Sequence, residues 1–428
     1  MLLFAATTLA ADVPHLSVDD ALAALEAHNP TLARSRAQVD SAKGSSLIAL
    51  SASLPTLSAS GSYTRNNEEA TLDLGPLFDT IGDVAEAMGN DRPEAPGELV
   101  LQPLESWNGA ASVRVPLVVP SAWVSAGSAT HGVKAANASL DATASTLRAS
   151  AIQAFWSAGA AEAYVAAQEN SVEHARRLVA IAEAAVAAGT STRLSALEAQ
   201  TDLARREGDL LQARANLEKA RIAIGLVLGS EGPVAVDLPT ELPSARPTTS
   251  ANARGELRAA REQVLATRAQ LLSVRLGTLP TLSGTVSAFA SSEPYMTGEN
   301  EGWKVTVDLT WPILQGGLRA GNEARARAAY MDATAALDGL ELQVAAQVRT
   351  AEADLSVARA RTEVTTRQRA LAEEAARVAQ RSFEEGVADA RTVLDALDRL
   401  DLARAAEIDA RSRVGIADAG LRAAVGEW

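Results

Sequence analysis

The sequence predicts a mainly α-helical protein that carries membrane β-strands and is built from one unit written twice. Three observations predict it. Two proline-free stretches of helical pattern each run for about 68 residues, four shorter runs alternate apolar and polar residues with a period of two, and one set of motifs recurs along the chain.

Composition sets the helical expectation. Aromatic residues make up 4% of the 428, and long stretches consist of Ala, Leu, Val, Glu, Arg and Gln, which on the whole lose little on entering a helix. The chain has no cysteine, so disulfide frameworks, thiolate metal sites and a lipid-anchored N-terminal Cys are not expected. His15, His28, His131 and His174 lie too far apart to form a local ligand pair, so neither a metal nor a cofactor is expected. A net charge of -14 gives a phosphate-binding surface no support, which argues against a nucleic-acid partner. No Ser/His/Asp, metal-ligand or phosphate-loop constellation stands out, and the chain is expected not to be an enzyme.

Taken in order, residues 1–11 (MLLFAATTLAA) read as the end of a secretory signal, with Thr8-Leu9-Ala10 as an imperfect cleavage site and the true start expected upstream. No later stretch holds the roughly 18 to 20 apolar residues that a spanning helix needs, so any crossing of a membrane falls to strands. The first repeat is expected over 12–229. It contains helices over about 17–50, strands over about 54–64 and 107–117, and a long helical hairpin over about 121–229 with its tip at 188–190. A linker over 230–250 carries Pro233, Pro239, Pro243 and Pro247, and is expected to cross the surface. The second repeat, 251–428, has a helix over about 251–277, strands over about 279–290 and 303–313, and a hairpin over about 317–427 with its tip at 385–387.

The duplication shows in particular residues. Leu54-Pro55-Thr56-Leu57-Ser58 returns as Leu279-Pro280-Thr281-Leu282-Ser283, and the Trp107-to-Pro116 interval equals that from Trp303 to Pro312. Gly229 and Gly426 close the two halves. The copies differ mainly between their strands, where 66–105 is inserted; ten acids there face one base, Arg92. Both flanks of this acidic segment are strand ends, so it is expected at the outer mouth of a barrel, with a short helix over Pro76 to Met88.

The strands suit a bilayer. Trp303, Val305, Val307, Leu309, Trp311 and Ile313 alternate with Lys304, Thr306, Asp308 and Thr310, and the two indoles are roughly 26 Å apart at strand rise, one for each interface. Tyr63 and Trp107 are the corresponding aromatics of the first copy. A helix of about 68 residues is roughly 100 Å long, far beyond a globular core, and the three-to-four spacing of Val393 or Leu394, Leu397 and Leu400 marks a coiled-coil seam. Four strands cannot close a barrel, and open edges in lipid leave backbone groups unpaired, so a membrane reading requires further copies of the chain.

Asn29-Pro30-Thr31-Leu32, the two Leu-Pro-Thr-Leu-Ser strand starts, the doubled hairpin plan, and the tips Ala188-Gly189-Thr190 and Glu385-Gly386-Val387 together resemble the TolC-like outer-membrane factor family (outer membrane efflux proteins), from about Leu16 to the C-terminus. The resemblance implies a homotrimer: a twelve-stranded barrel among outer-membrane lipid, continued by a coiled-coil tunnel through the periplasm. It implies passive conduction in an efflux pump or type I secretion system. The partners would be a periplasmic adaptor (membrane fusion) protein met at the tips and, through it, an inner-membrane transporter. Acidic rings at the narrow periplasmic end are carried over to Asp395 in Val393-Leu394-Asp395-Ala396, whereas Thr392 stands where many relatives have a second acid. Glu198 and Ser195 hold the equivalent positions after Gly189. At 100° per residue Asp395 lies nearly opposite the seam, facing lumen or solvent. Two other readings stay open on the sequence: a periplasmic adaptor, which has one hairpin in β-rich flanks, and a soluble coiled-coil protein, which leaves the Trp303 to Ile313 alternation unexplained.

Overall fold

The structure, a computed structural model, describes residues 15–93, 99–239, 241–243, 251–293 and 299–428. The expected signal segment lies outside them, as do Glu94 and Glu98 of the acidic segment and Pro247 of the linker. The chain divides into two units: one contains Gly44–Thr130 and Ala266–Tyr330, the other His131–Leu265, Met331–Trp428 and the stretch up to Lys43.

The first of these units holds a four-stranded antiparallel sheet of β2 (Thr56–Arg65), β5 (Glu105–Val118), β7 (Thr281–Ser291) and β8 (Glu301–Thr310), in that order. Residues directly opposite on neighbouring strands share a face. Leu57 pairs with Val113, Val113 with Val286 and Val286 with Val305, so one face is apolar from edge to edge. Ser58, Ser112, Ser287 and Lys304 make the matching row on the other face. β8 stops one residue short of Trp311, a correction to the expected strand end. Thr310 already pairs with Thr281, the first residue of β7, and Pro312 has no N–H to extend the ladder. Between β2 and β5 the acidic segment forms β3 (Ala70–Leu72), α3 (Gly75–Ala87) and β4 (Leu99–Gln102), with β3 antiparallel to β4. Asn66 closes the base of this insertion, its backbone N–H donating to Leu104 and its side chain to the carbonyl of Pro103, both at 2.8 Å.

The helices are α1 (Val18–His28), α2 (Pro30–Ser51), α4 (Pro120–Ala187), α5 (Arg193–Leu228), α6 (Gly255–Leu276), α7 (Leu318–Glu384) and α8 (Ala390–Val425). The duplication is metrical: α4 and α7 have 68 and 67 residues, α5 and α8 have 36 each. α1 and α2 are separated at Asn29, which is extended as a residue before proline tends to be. Its side chain joins the start of α2 to the end of α5, accepting from the N–H groups of Thr31 and Leu32 while donating to the Val227 carbonyl at 2.7 Å.

The second unit has its apolar core where α1, α4 and α5 meet, around Leu25, Phe155, Trp156, Ile224 and Leu228. The linker is not wholly on the surface. Val234, Ala235 and Val236 are buried, and β6 (Ala235–Val236) pairs in parallel with β1 (His15–Leu16). An unbroken apolar triplet gains more from that core than from water. Gly415 lies against the indole of Trp156, where a Cβ would come within 2.0 Å of the ring.

Candidate functional site

Two regions carry the functional geometry. In the sheet, the apolar face is bare: Trp303 is 75% exposed and Leu309 69%, with Leu57, Val305 and Val307 also exposed. Tyr63 sits directly opposite Trp107, and Trp311 follows the end of β8, all three exposed. A continuous apolar sheet face of this extent marks an interaction surface, and its aromatics suit a membrane boundary. Hydrogen bonds cross the polar face at the Ser58–Ser112 hydroxyl pair, 2.9 Å apart, and where the Arg114 guanidinium donates to Ser283 at 3.3 Å. None of the helices, among the described residues, is long and apolar enough to cross a membrane.

The other region is the pair of hairpin tips. Gly189 and Gly386 have φ of 72° and 73°, the left-handed conformation open to glycine at little cost. The following N–H groups, of Thr190 and Val387, donate back to Ala185 and Ser382 at 3.0 and 2.8 Å, the bonds of a Schellman cap. Ala188, Thr190, Glu385 and Val387 are exposed around these turns. The next helices then start on side-chain caps. Thr192 accepts from the Ser195 N–H, and Asp389 from the Thr392 N–H at 2.9 Å and its hydroxyl at 2.5 Å. The hydrogen bonds from Thr392 hold the Asp389 carboxyl below its ordinary range. Ser195 and Thr392 are therefore partners in helix caps.

Just beyond the caps, α4, α5, α7 and α8 close on a small apolar cluster. Val393, Leu397 and Leu400 are its buried leucine-type seam on α8, but α5 contributes alanines, Ala196 and Ala199, while Leu194 and Leu197 stay exposed. Glu198 and Asp395 line one cleft of about 460 Å³ between α5 and α8, together with Arg205, Arg391 and Asp398.

Next to the cleft lies a charge cluster the sequence reading missed. The Arg206 side chain, 3% exposed, binds Asp202 at 2.6 Å, Asp398 at 2.8 Å, and also Asp401 and Ser171. Arg205 shares Asp398 at 2.7 Å, and Ser171 donates to Asp401 at 2.9 Å. Burial penalises the Arg206 charge, yet its bonds to Asp202 and Asp401 outweigh this and hold it above its ordinary value. Two guanidiniums and three carboxylates thus tie α4, α5 and α8 together. The available signal was Arg205-Arg206 with Asp202 one turn before, a spacing that exposed helices also show.

A bilayer-compatible sheet continued in sequence by paired long helices defines a class, the outer-membrane channels with a helical tunnel. The chain matches the outer membrane efflux protein family over residues 21–230 and 248–427, and it belongs to that family. It is accordingly a channel-tunnel subunit of an efflux system, seated in the outer membrane with its tunnel in the periplasm; the family is one of channels and not of enzymes. Its members generally form trimers and work with pump partners.

Solved structures share the fold. A membrane protein from Pseudomonas aeruginosa, 21% identical, matches over 95% of this chain and 93% of its own with a TM-score of 0.78. The outer membrane protein VceC from Vibrio cholerae, 18% identical, matches over 96% of each chain with a TM-score of 0.78. The CmeC outer membrane channel of Campylobacter jejuni, 15% identical, matches over 96% and 85% with a TM-score of 0.77. No curated protein sequence matches the chain.

Proposed function

We propose that three copies of this chain close a single twelve-stranded barrel and conduct cargo passively to the exterior. The supporting observation is the sheet, whose edges β2 and β8 each offer a row of backbone groups and whose two faces are sorted into apolar and polar. Pairing β8 of one copy with β2 of the next satisfies those groups, which in lipid cost several kcal/mol each when unpaired. A second observation favours the same assembly: Val357, Val364, Leu371 and Val378 recur at heptad intervals on α7 and are exposed in the single chain, a seam awaiting a helix from another copy.

In this reading Asp395 and Glu198 form the acidic constriction at the periplasmic end. The exposed turns at Ala188-Gly189-Thr190 and Glu385-Gly386-Val387 receive a periplasmic adaptor, through which an inner-membrane transporter supplies the energy. The test is single-channel recording on purified protein whose detergent-subtracted mass is that of a trimer. Replacing Asp395→Asn and Glu198→Gln together should reduce cation selectivity while leaving the mass unchanged. A trimer with unaltered selectivity refutes the gate assignment, and a monomer refutes the barrel.

A further inference from the structure

The helix of the acidic insertion carries an apolar stripe that the described residues leave exposed. Leu77, Ile81, Val84 and Met88 fall on one line of α3 and its C-cap, spaced four, three and four residues apart, and all four are exposed. That is the spacing of a coiled-coil seam. Off the stripe, part of the helix is covered. Phe78 is half-buried, and Gly82 is covered by the Arg92 side chain, to which a Cβ would come within 2.7 Å. The Arg92 guanidinium in turn pairs with Asp79 at 3.2 Å and Asp83 at 3.4 Å. Acids therefore sit away from the stripe, with Glu86 lying opposite it at 100° per residue.

We propose that α3 packs against its own copies about the trimer axis through Leu77, Ile81, Val84 and Met88, forming a three-helix cap over the outer mouth. The proposal rests on the trimeric barrel reading. Charge decides the occupant: a helix lying on an anionic lipid surface carries Lys or Arg on its polar face, whereas the polar face of α3 holds Asp79, Asp83 and Glu86. Topology brings the copies together, because the insertion leaves β2 at Arg65, and β2 is an edge strand that faces the neighbouring copy. Dimensions allow it. Twelve strands about 4.8 Å apart make a ring roughly 18 Å across before tilt widens it, and three helices at about 8–10 Å separation fit that opening.

The chain has no cysteine, so single substitutions report cleanly. Ile81→Cys and Val84→Cys, placed in native outer membranes and treated with a short bis-maleimide, should shift the band on a denaturing gel from monomer to cross-linked copies. Glu86→Cys should leave it at monomer mass. The detergent-subtracted mass of each variant is measured alongside. A trimer with no cross-link at Ile81 or Val84 overturns the cap and leaves the barrel standing, whereas a monomer overturns both. A fluorophore on Ile81→Cys that is quenched by brominated lipid also overturns the cap, since lipid then covers the stripe.

Discussion

Arg206 concentrates more of the tip's organisation than any other side chain. It is buried among Asp202, Asp398 and Asp401, so its removal leaves carboxylates without a counter-charge. Arg206→Ala should destabilise the tip by about 3–5 kcal/mol, the cost of breaking a buried pair from one side, measured as faster amide exchange in 196–206 and 393–401. His174, one turn from Ser171, adds a pH dependence. Burial, then the charges of Arg404 and Arg177, hold its pKa below the ordinary imidazole value. Below about pH 6.5 the unfolded chain binds a proton that the folded chain resists, so stability is full above that pH and falls as pH drops towards the folded pKa. His174→Gln should flatten the fall in thermal midpoint between about pH 7 and pH 5. An unchanged slope would assign that fall to other groups. At this scale the sequence was partly legible. Asp395 could be placed off the seam by angle, but the meeting of Arg206 with Asp398, Asp401 and Ser171 depends on how α4, α5 and α8 pack, which no local spacing encodes.

Among the elements, the hairpins and strands are read most directly. Period-two alternation marks Val305, Val307 and Leu309 because a pleat sends successive side chains to opposite faces. The glycines mark the tips because α4 and α7 end on left-handed residues. Among the described residues, neither tip glycine has an atom within 4 Å of where a Cβ would stand, so only backbone strain opposes a side chain there. Gly386→Ala should therefore cost about 1–2 kcal/mol and loosen the turn without disturbing packing, as thermal unfolding of the variant would record. Less legible were the features set by partners. The α5 seam is built from Ala196 and Ala199, whose small side chains leave no leucine stripe to read, and β6 is too short for any periodicity. β8 ends before Trp311 because β7 supplies no further partner, a limit set by another part of the chain.

For the whole molecule, the doubled plan explains how one chain supplies both a sheet and its continuation. Each copy contributes two strands to the sheet and one hairpin of 68 and 36, or 67 and 36, residues to the helices. The copies diverge where the acidic insertion separates β2 from β5, and that divergence gives this chain its α3 stripe. The central claim is that the Leu57–Val113–Val286–Val305 face meets lipid while the Ser58–Ser112–Ser287–Lys304 face lines a water-filled lumen. Adjacent residues of β8 test it directly. In native outer membranes a fluorophore on Val307→Cys should be quenched by brominated lipid and not by aqueous iodide, and one on Thr306→Cys should show the reverse. Equal quenching of both sites by iodide, with no effect of brominated lipid at Val307, would contradict the account.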